Sequence, residues 1–197
     1  MATVSCRFTM SLDSFIADPN DDVMPLFPWY FQGEVKYPVP GTQMVFKVAQ
    51  ASYVTIEEMF DTTGAIVTGR RDFDVSNQWG GKPPFDVPCF IVTHNVPQEW
   101  AGNGSPFTFV TDGVESAIAQ AKQVVTGDKV IAVGGTQIVR QSLQAGLIDQ
   151  IEIDLAPILL GKGIRLFDQL GTDPIQLEID RVIDAPLVTH IRYIVKK

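Results

Sequence analysis

Residues 129–146, reading KVIAVGGTQIVRQSLQAG, constrain this chain more than any other stretch. Val130, Ile131, Ala132 and Val133 form a short apolar, mostly β-branched run, the pattern of a buried strand. Gly134 and Gly135 then permit a turn that brings backbone close to a ligand. Thr136 is placed to cap a helix whose Ile138, Val139, Leu143 and Leu147 share one side. A strand, a glycine turn and a helix N-terminus in that order offer unpaired N–H groups and the positive end of a helix dipole, which suits a phosphate or pyrophosphate. The same residues equally describe a tight turn whose glycines serve only to change direction, so the surrounding chain has to decide.

That chain alternates. Val4, Cys6, Phe8 and Met10 alternate with Ser5, Arg7 and Thr9, predicting a strand that runs into Ser11-Leu12-Asp13-Ser14-Phe15-Ile16-Ala17. Residues 18–41 are rich in proline, carry Phe27, Trp29, Tyr30, Phe31 and Tyr37, and lack a clean period; they read as a long aromatic loop, either a lid or a packed insertion. Residues 44–60 read as helix, with Phe46, Ala49, Tyr53, Ile56 and Phe60 at three- and four-residue steps. Strands follow at 64–68, 87–94 and 107–110, and Asp112 with Glu115 predicts a capping box for a helix ending at Gly127. Ile151, Ile153 and Leu155 open another strand that continues toward Gly163. Alternating runs at 175–183 and 187–195 then predict an antiparallel hairpin across Asp184-Ala185-Pro186. The first two-thirds therefore favours a parallel α/β sheet, the last third adds antiparallel strands, and one domain over residues 1–197 is the simplest organisation.

Charge and motif content narrow the function. The formal net charge is -8, and the 15 basic residues form no cluster beyond Arg70-Arg71 and Lys196-Lys197, which argues against nucleic acid as a partner. Cys6 and Cys89 lie in apolar runs and read as core thiols of a reducing compartment. The first residues lack a signal-peptide pattern, and no apolar run approaches the ~18 residues of a membrane span, so the expected location is cytoplasmic with no membrane partner. No His, Cys or carboxylate cluster has metal-ligand spacing, and no Gly-x-Ser-x-Gly elbow supports covalent hydrolysis. Hydride transfer fits such a chain, since the cofactor carries the chemistry.

Three strand ends carry groups suited to a dinucleotide: Gly69-Arg70-Arg71, Thr93-His94 and Gly134-Gly135-Thr136. Brought side by side, they supply a backbone cradle for a pyrophosphate and a guanidinium for a second phosphate, the physical description of an NADPH site. Asp13 sits in a Ser-Leu-Asp turn, where aspartates most often stabilise the turn itself. Glu34 follows Trp29 by five residues in the aromatic loop, and His190 falls in an edge strand with a structural pattern.

The runs Met10-Ser11-Leu12-Asp13-Ser14-Phe15-Ile16-Ala17, Gly69-Arg70-Arg71-Asp72-Phe73, Val92-Thr93-His94 and Val133-Gly134-Gly135 occur in the order found in the dihydrofolate reductase-like family. So does the long stretch AGLIDQIEIDLAPILLGKGIRLF at 145–167. The chain most resembles the branch that holds the reductase domain of the bifunctional riboflavin-biosynthesis deaminase-reductase. That resemblance implies a three-layer α/β fold with a mixed, mostly parallel sheet of about eight strands and a C-terminal antiparallel hairpin.

By position, it also implies that Gly69, Arg70 and Arg71 hold the adenosine 2′-phosphate of NADPH, with Thr93 and His94 flanking them. Gly134, Gly135, Thr136 and Gln137 would receive the pyrophosphate, and Thr9, Ile16 and Ala17 would line the nicotinamide. Asp72 departs from the threonine usual after Gly-Arg-x and puts a negative charge near the phosphates. The candidate proton donors are Asp13 and Glu34. The zinc-ligand set of the deaminase domain is absent from this sequence. The implied activity is NADPH-dependent reduction of a small heteroaromatic or imine-type substrate, as in 5-amino-6-(5-phosphoribosylamino)uracil reduction, by a homodimer. Dihydrofolate reduction and nucleotide binding without efficient catalysis remain the alternatives.

Overall fold

A computed structural model describes residues 2–102 and 104–197. The strands are β1 (Thr3–Ser11), β2 (Phe15–Ala17), β3 (Val35–Pro38), β4 (Val45–Val48), β5 (Thr63–Gly69), β6 (Cys89–Val92), β7 (Phe107–Val110), β8 (Val130–Val133), β9 (Gln150–Ala156), β10 (Ile164–Arg165), β11 (Leu177–Ala185) and β12 (Val188–Val195). The helices are α1 (Gln50–Thr62), α2 (Arg70–Val75), α3 (Val114–Val124) and α4 (Thr136–Gln144). Eight strands form one sheet in the order β11-β12-β9-β1-β8-β5-β6-β7, and the pairs β2/β10 and β3/β4 stand apart from it. The mixed α/β sheet with a C-terminal antiparallel hairpin matches the expectation from sequence.

By its internal contacts the chain falls into two compact units. The first comprises Met1–Cys6 and Thr62–Asp149. Its strands β1, β8, β5, β6 and β7 pair in parallel, with Val4 opposite Ile131, Ile66 opposite both Ala132 and Cys89, and Cys89 opposite Phe107. Parallel strands covered by helices are apolar throughout, which is why the runs at 65–67 in β5, in β6 and in β8 are continuous rather than alternating. α3 buries Val114, Ala117, Ile118 and Ala121, and α4 buries Ile138, Val139, Ser142 and Leu143, each at helical spacing. Phe73 is wholly buried in a cluster with Ile66, Cys89, Ile91 and Phe107, and its ring meets that of Phe107 edge-on at 5.0 Å. Truncating such an aromatic costs ~3–5 kcal/mol.

The second unit comprises Arg7–Asp61 and Gln150–Lys197. Here β9, β12 and β11 form an antiparallel meander, with Asp154 opposite His190 and Ile183 opposite His190 on its other side. Trp29, Tyr37, Val48, Ala49, Ile56, Ala185 and Val188 make its aromatic-rich core.

Four local expectations need correction. Residues 44–60 are not one helix: Val45–Val48 is strand β4, paired with β3 through Tyr37 and Phe46, and the helix starts at Gln50. The apolar spacing of Phe46 and Ala49 concealed a period of two that only pairing with β3 reveals. Thr136 does not cap α4; Gly135, with φ +74, is the N-cap and no side chain caps the helix. Gly113, with φ +104, rather than Asp112, precedes α3. The final hairpin turns two residues later than expected, at Pro186-Leu187, with Leu187 in the left-handed region. The 18–41 segment contains two short 3-10 turns, Met24–Leu26 and Pro28–Tyr30, and the strand β3.

Candidate functional site

In the first unit, β8, β5 and β6 are consecutive neighbours in the sheet and run parallel. Their carboxyl ends therefore lie side by side, and they carry Gly134-Gly135-Thr136, Gly69-Arg70-Arg71 and Thr93-His94. Ligands of parallel α/β sheets bind at such ends. Gly69 is the N-cap of α2 in extended conformation, and a Cβ there would come within 3.0 Å of Ile138 on α4. A Cβ on Gly134 would stand 3.0 Å from Thr68 Oγ1 and 3.3 Å from Asp72 Oδ2. Glycine thus permits the close approach on both turns, where any side chain would crowd its neighbours.

Side chains around these turns are partly committed. Arg70 Nε donates to both oxygens of Asp74 at 2.8 and 2.9 Å, one helical turn on, and Nη1 donates to Asn95 O at 3.5 Å. Arg71 is exposed, as are His94 and Gln137, whereas Thr136 is half-buried. Thr93 Oγ1 donates to Asn95 O at 2.9 Å, shaping the loop after β6. Thr68 Oγ1 donates to Asp72 Oδ2 at 2.6 Å, and burial, opposed by that hydrogen bond, raises the Asp72 carboxyl above its ordinary range. Burial, and next the Asp72 charge, push the Cys89 thiol up to about 12, so Cys89 is an inert core thiol.

In the second unit, both candidate proton donors are engaged by hydrogen bonds that hold local structure. Asp13 accepts from Ser11 Oγ at 2.6 Å, from Leu160 N at 3.1 Å and from Gly161 N at 2.7 Å, tying the β1–β2 turn to the loop after β9. The Ser11 hydroxyl first, then the Gly161 and Leu160 N–H groups, hold its carboxyl near pKa 2 against some desolvation. An acid that ionised has no proton to give at neutral pH. Exposed Glu34 accepts from Gln50 N at 3.0 Å and so caps α1, where a negative charge complements the helix dipole. Ala17 and half-buried Ile16 lie on β2, which pairs with β10; a Cβ on Gly163 would strike Ala17 O, which explains glycine there. Thr9 is buried on β1, beside the Tyr30 hydroxyl.

Sequence reasoning missed a buried network in this unit. Arg7 Nε and Nη2 donate to the two oxygens of Asp154 at 2.8 and 3.0 Å, while Arg7 Nη1 donates to Thr55 O at 2.8 Å. Asp154 Oδ1 also meets His190 Nδ1 at 2.6 Å, and His190 Nε2 lies 2.8 Å from Ser52 Oγ. With Asp154 ionised, Nδ1 donates to it and Nε2 accepts the Ser52 hydroxyl. Burial pushes the Asp154 carboxyl up, but Arg7 and His190 together outweigh it and the net shift is down. The order Ser–His–Asp matches that of nucleophilic triads. Ser52, however, is 1% exposed, and Asp154 is clamped by a guanidinium, so the network is a core clamp rather than a nucleophile. Its members come from four distant points of the chain, and no local spacing connects them. The one local signal was Arg7, the single charged residue of β1.

The family model of the RibD C-terminal domain matches residues 2–185. The chain belongs to the RibD C-terminal domain family. A solved structure of a putative riboflavin biosynthesis protein from Shewanella sp. PV-4 superposes with TM-score 0.72 at 22% identity, covering 100% of both chains. The diaminohydroxyphosphoribosylaminopyrimidine deaminase/5-amino-6-(5-phosphoribosylamino)uracil reductase of Thermotoga maritima gives TM-score 0.66 at 15% identity, over 99% of this chain and 57% of that one. A pyrimidine reductase-like protein of Corynebacterium diphtheriae gives 0.64 at 13% identity, over 100% of this chain and 92% of that one. These likenesses confirm the fold of a RibD C-terminal domain. The uncharacterized protein YwjB of Bacillus subtilis is 25% identical over 117 residues, 59% of this chain and 65% of that protein. Among the described residues no helix is long and apolar enough to cross a membrane.

Proposed function

We propose that this RibD C-terminal domain is an NADPH-dependent reductase that delivers hydride to a small heteroaromatic or imine-type substrate. The observation that carries the reading is the adjacency of the three glycine- and arginine-bearing strand ends on β8, β5 and β6. The residues present fit the cofactor's phosphates: α4 begins at a glycine with φ +74 and no side-chain cap, so its first N–H groups have no side-chain acceptor. Gly134, Gly135, Thr136 and Gln137 would hold the pyrophosphate. Gly69, Arg70 and Arg71, with Thr93 and His94, would hold the 2′-phosphate. In the second unit the same proposal assigns Thr9, Ile16 and Ala17 to the nicotinamide. NADPH, when bound, supplies the hydride.

The chain's own groups position and select. Arg70 reaches a phosphate by exchanging or sharing its partner Asp74, an exchange that costs little because both side chains are more than a third exposed. With Asp13 held ionised and Glu34 engaged at a helix end, the proton in this reading comes from water. Arg70→Glu is expected to weaken NADPH binding by roughly ten- to a hundred-fold. Unchanged binding by titration calorimetry would remove the assignment. NADPH oxidation followed with the ribosylamino-uracil and with dihydrofolate separates the riboflavin-type reaction from folate reduction. Tight NADPH binding with turnover of neither points to a binding module. The reading includes a homodimer working in the cytoplasm, with assembly measurable by sedimentation.

A further inference from the structure

Asp72 is the feature of the strand-end cluster that a phosphate site does not need. Its Oδ2 lies against Gly134, 3.3 Å from where a Cβ would stand, and its own Cβ is 3.6 Å from that of a substituted Gly135. The carboxyl is therefore packed against the glycine turn at the start of α4. Among the described residues its one side-chain hydrogen-bond partner is the fully buried Thr68 hydroxyl. The charged and titratable groups on the surrounding elements do not neutralise it. On its own helix Arg70 is paired with Asp74, and neither Arg71 nor Arg70 is hydrogen-bonded to Asp72. From β6 the nearby group is the Cys89 thiol, which the Asp72 charge itself disfavours ionising. Among the described residues, burial and the Thr68 hydroxyl are what act on its carboxyl, and Arg140 of α4 is not paired with it. β5 and the glycine turn bring no charge.

Resting on the NADPH reading, we infer that Asp72 makes occupation of the phosphate cradle proton-coupled: the cradle accepts an anionic phosphate group only with the Asp72 carboxyl uncharged. The physical reason is elementary. A half-buried carboxylate with no cation paired to it repels a phosphate placed on the other side of the same glycine turn. A protonated carboxyl removes that repulsion. Binding of the phosphate therefore takes up one proton above the carboxyl's own pKa, and affinity falls by up to about tenfold per pH unit there. The direction of the Asp72 shift in the free protein, upward with burial, brings that transition closer to neutral pH.

The test is NADPH titration of the wild type, Asp72→Asn and Asp72→Thr across pH, with calorimetry in two buffers of different ionisation enthalpy to count protons taken up. The Asn variant keeps the shape of the uncharged form, and because it carries the 2′-phosphate's own titration equally, the difference between curves belongs to Asp72. The expected result is at least about tenfold tighter binding by both variants in mildly alkaline buffer, converging with wild type on acidification, with proton uptake lost. Carboxyl-carbon NMR of wild type should show Asp72 titrating above the usual carboxylate range and moving further up when NADPH is added. Equal affinity of wild type and variants at every pH, or an Asp72 titration indifferent to NADPH, overturns the inference while leaving the NADPH reading intact. Absence of binding by all three proteins at every pH overturns both.

Discussion

Half-buried Asp72 and buried Asp154 are carboxylates, one in each unit, whose surroundings drive them in opposite directions. Asp154 is enclosed by a bidentate guanidinium and an imidazole, and its carboxyl is held below the ordinary range despite burial. Among the described residues Asp72 has one hydroxyl and no cation, and its carboxyl is held above that range. Burial penalises both equally in kind, so the presence of an opposite charge decides the sign. A compensated buried charge is a structural joint. An uncompensated one is a cost that folding alone does not explain, and it stands against the glycine turn proposed to bind phosphate.

The comparison breaks most decisively at Arg7. Replacing it by Met leaves Asp154 buried without its guanidinium and should destabilise the protein by ~3–5 kcal/mol, read as a lowered urea midpoint. A loss below ~1 kcal/mol would mean Asp154 is not clamped as described. Next in size come the two hydroxyls that serve each network. Thr68→Val removes the one side-chain hydrogen-bond partner that Asp72 has among the described residues and should cost ~1–2 kcal/mol at neutral pH. Ser52→Ala, leaving His190 Nε2 without its partner, should cost ~1 kcal/mol.

The pH dependence sharpens the contrast through its sign. The folded Asp154 carboxyl lies below its unfolded value, so its contribution is complete above the unfolded pKa of about 3.9 and is lost as pH falls toward the folded value. The folded Asp72 carboxyl lies above its unfolded value, so its contribution is complete below about pH 3.9 and is lost as pH rises through the folded value. Urea midpoints of wild type, Asp154→Asn and Asp72→Asn from about pH 3 to about pH 8 should therefore diverge in opposite directions. Wild type becomes more stable than Asp154→Asn and less stable than Asp72→Asn. Matching signs would show that the two sites are alike. The smallest effect is that of Asp72→Asn at low pH, where both carboxyl and amide are neutral and the midpoints should coincide.

Much of this was legible in order along the chain. Continuous apolar runs closed by glycine, as at Val130 to Gly135, read as parallel strands entering helices, because burial on both faces and a tight turn leave that trace in consecutive residues. The same locality made Gly69-Arg70 and Gly134-Gly135 visible as candidates. The strand Val45–Val48 was not legible, since its pairing partner lies across a proline-rich segment and its apolar spacing also suits a helix. Asp13 and Glu34 were visible as acids but not as anchors, because the N–H groups they accept from belong to Gly161 and Gln50.

By itself the sequence determined the alternation of strands and helices, the closing hairpin and the glycine turns, all of which depend on neighbours within a few residues. Tertiary structure alone decided that β8, β5 and β6 are adjacent, that Arg7, Ser52, Asp154 and His190 meet, and that Asp72 meets no cation among the described residues. Ionisation is set by whatever charges lie within a few ångströms, and those come from distant parts of the chain. The charge states that distinguish a structural carboxylate from a candidate functional one could be read only once the strands were in place.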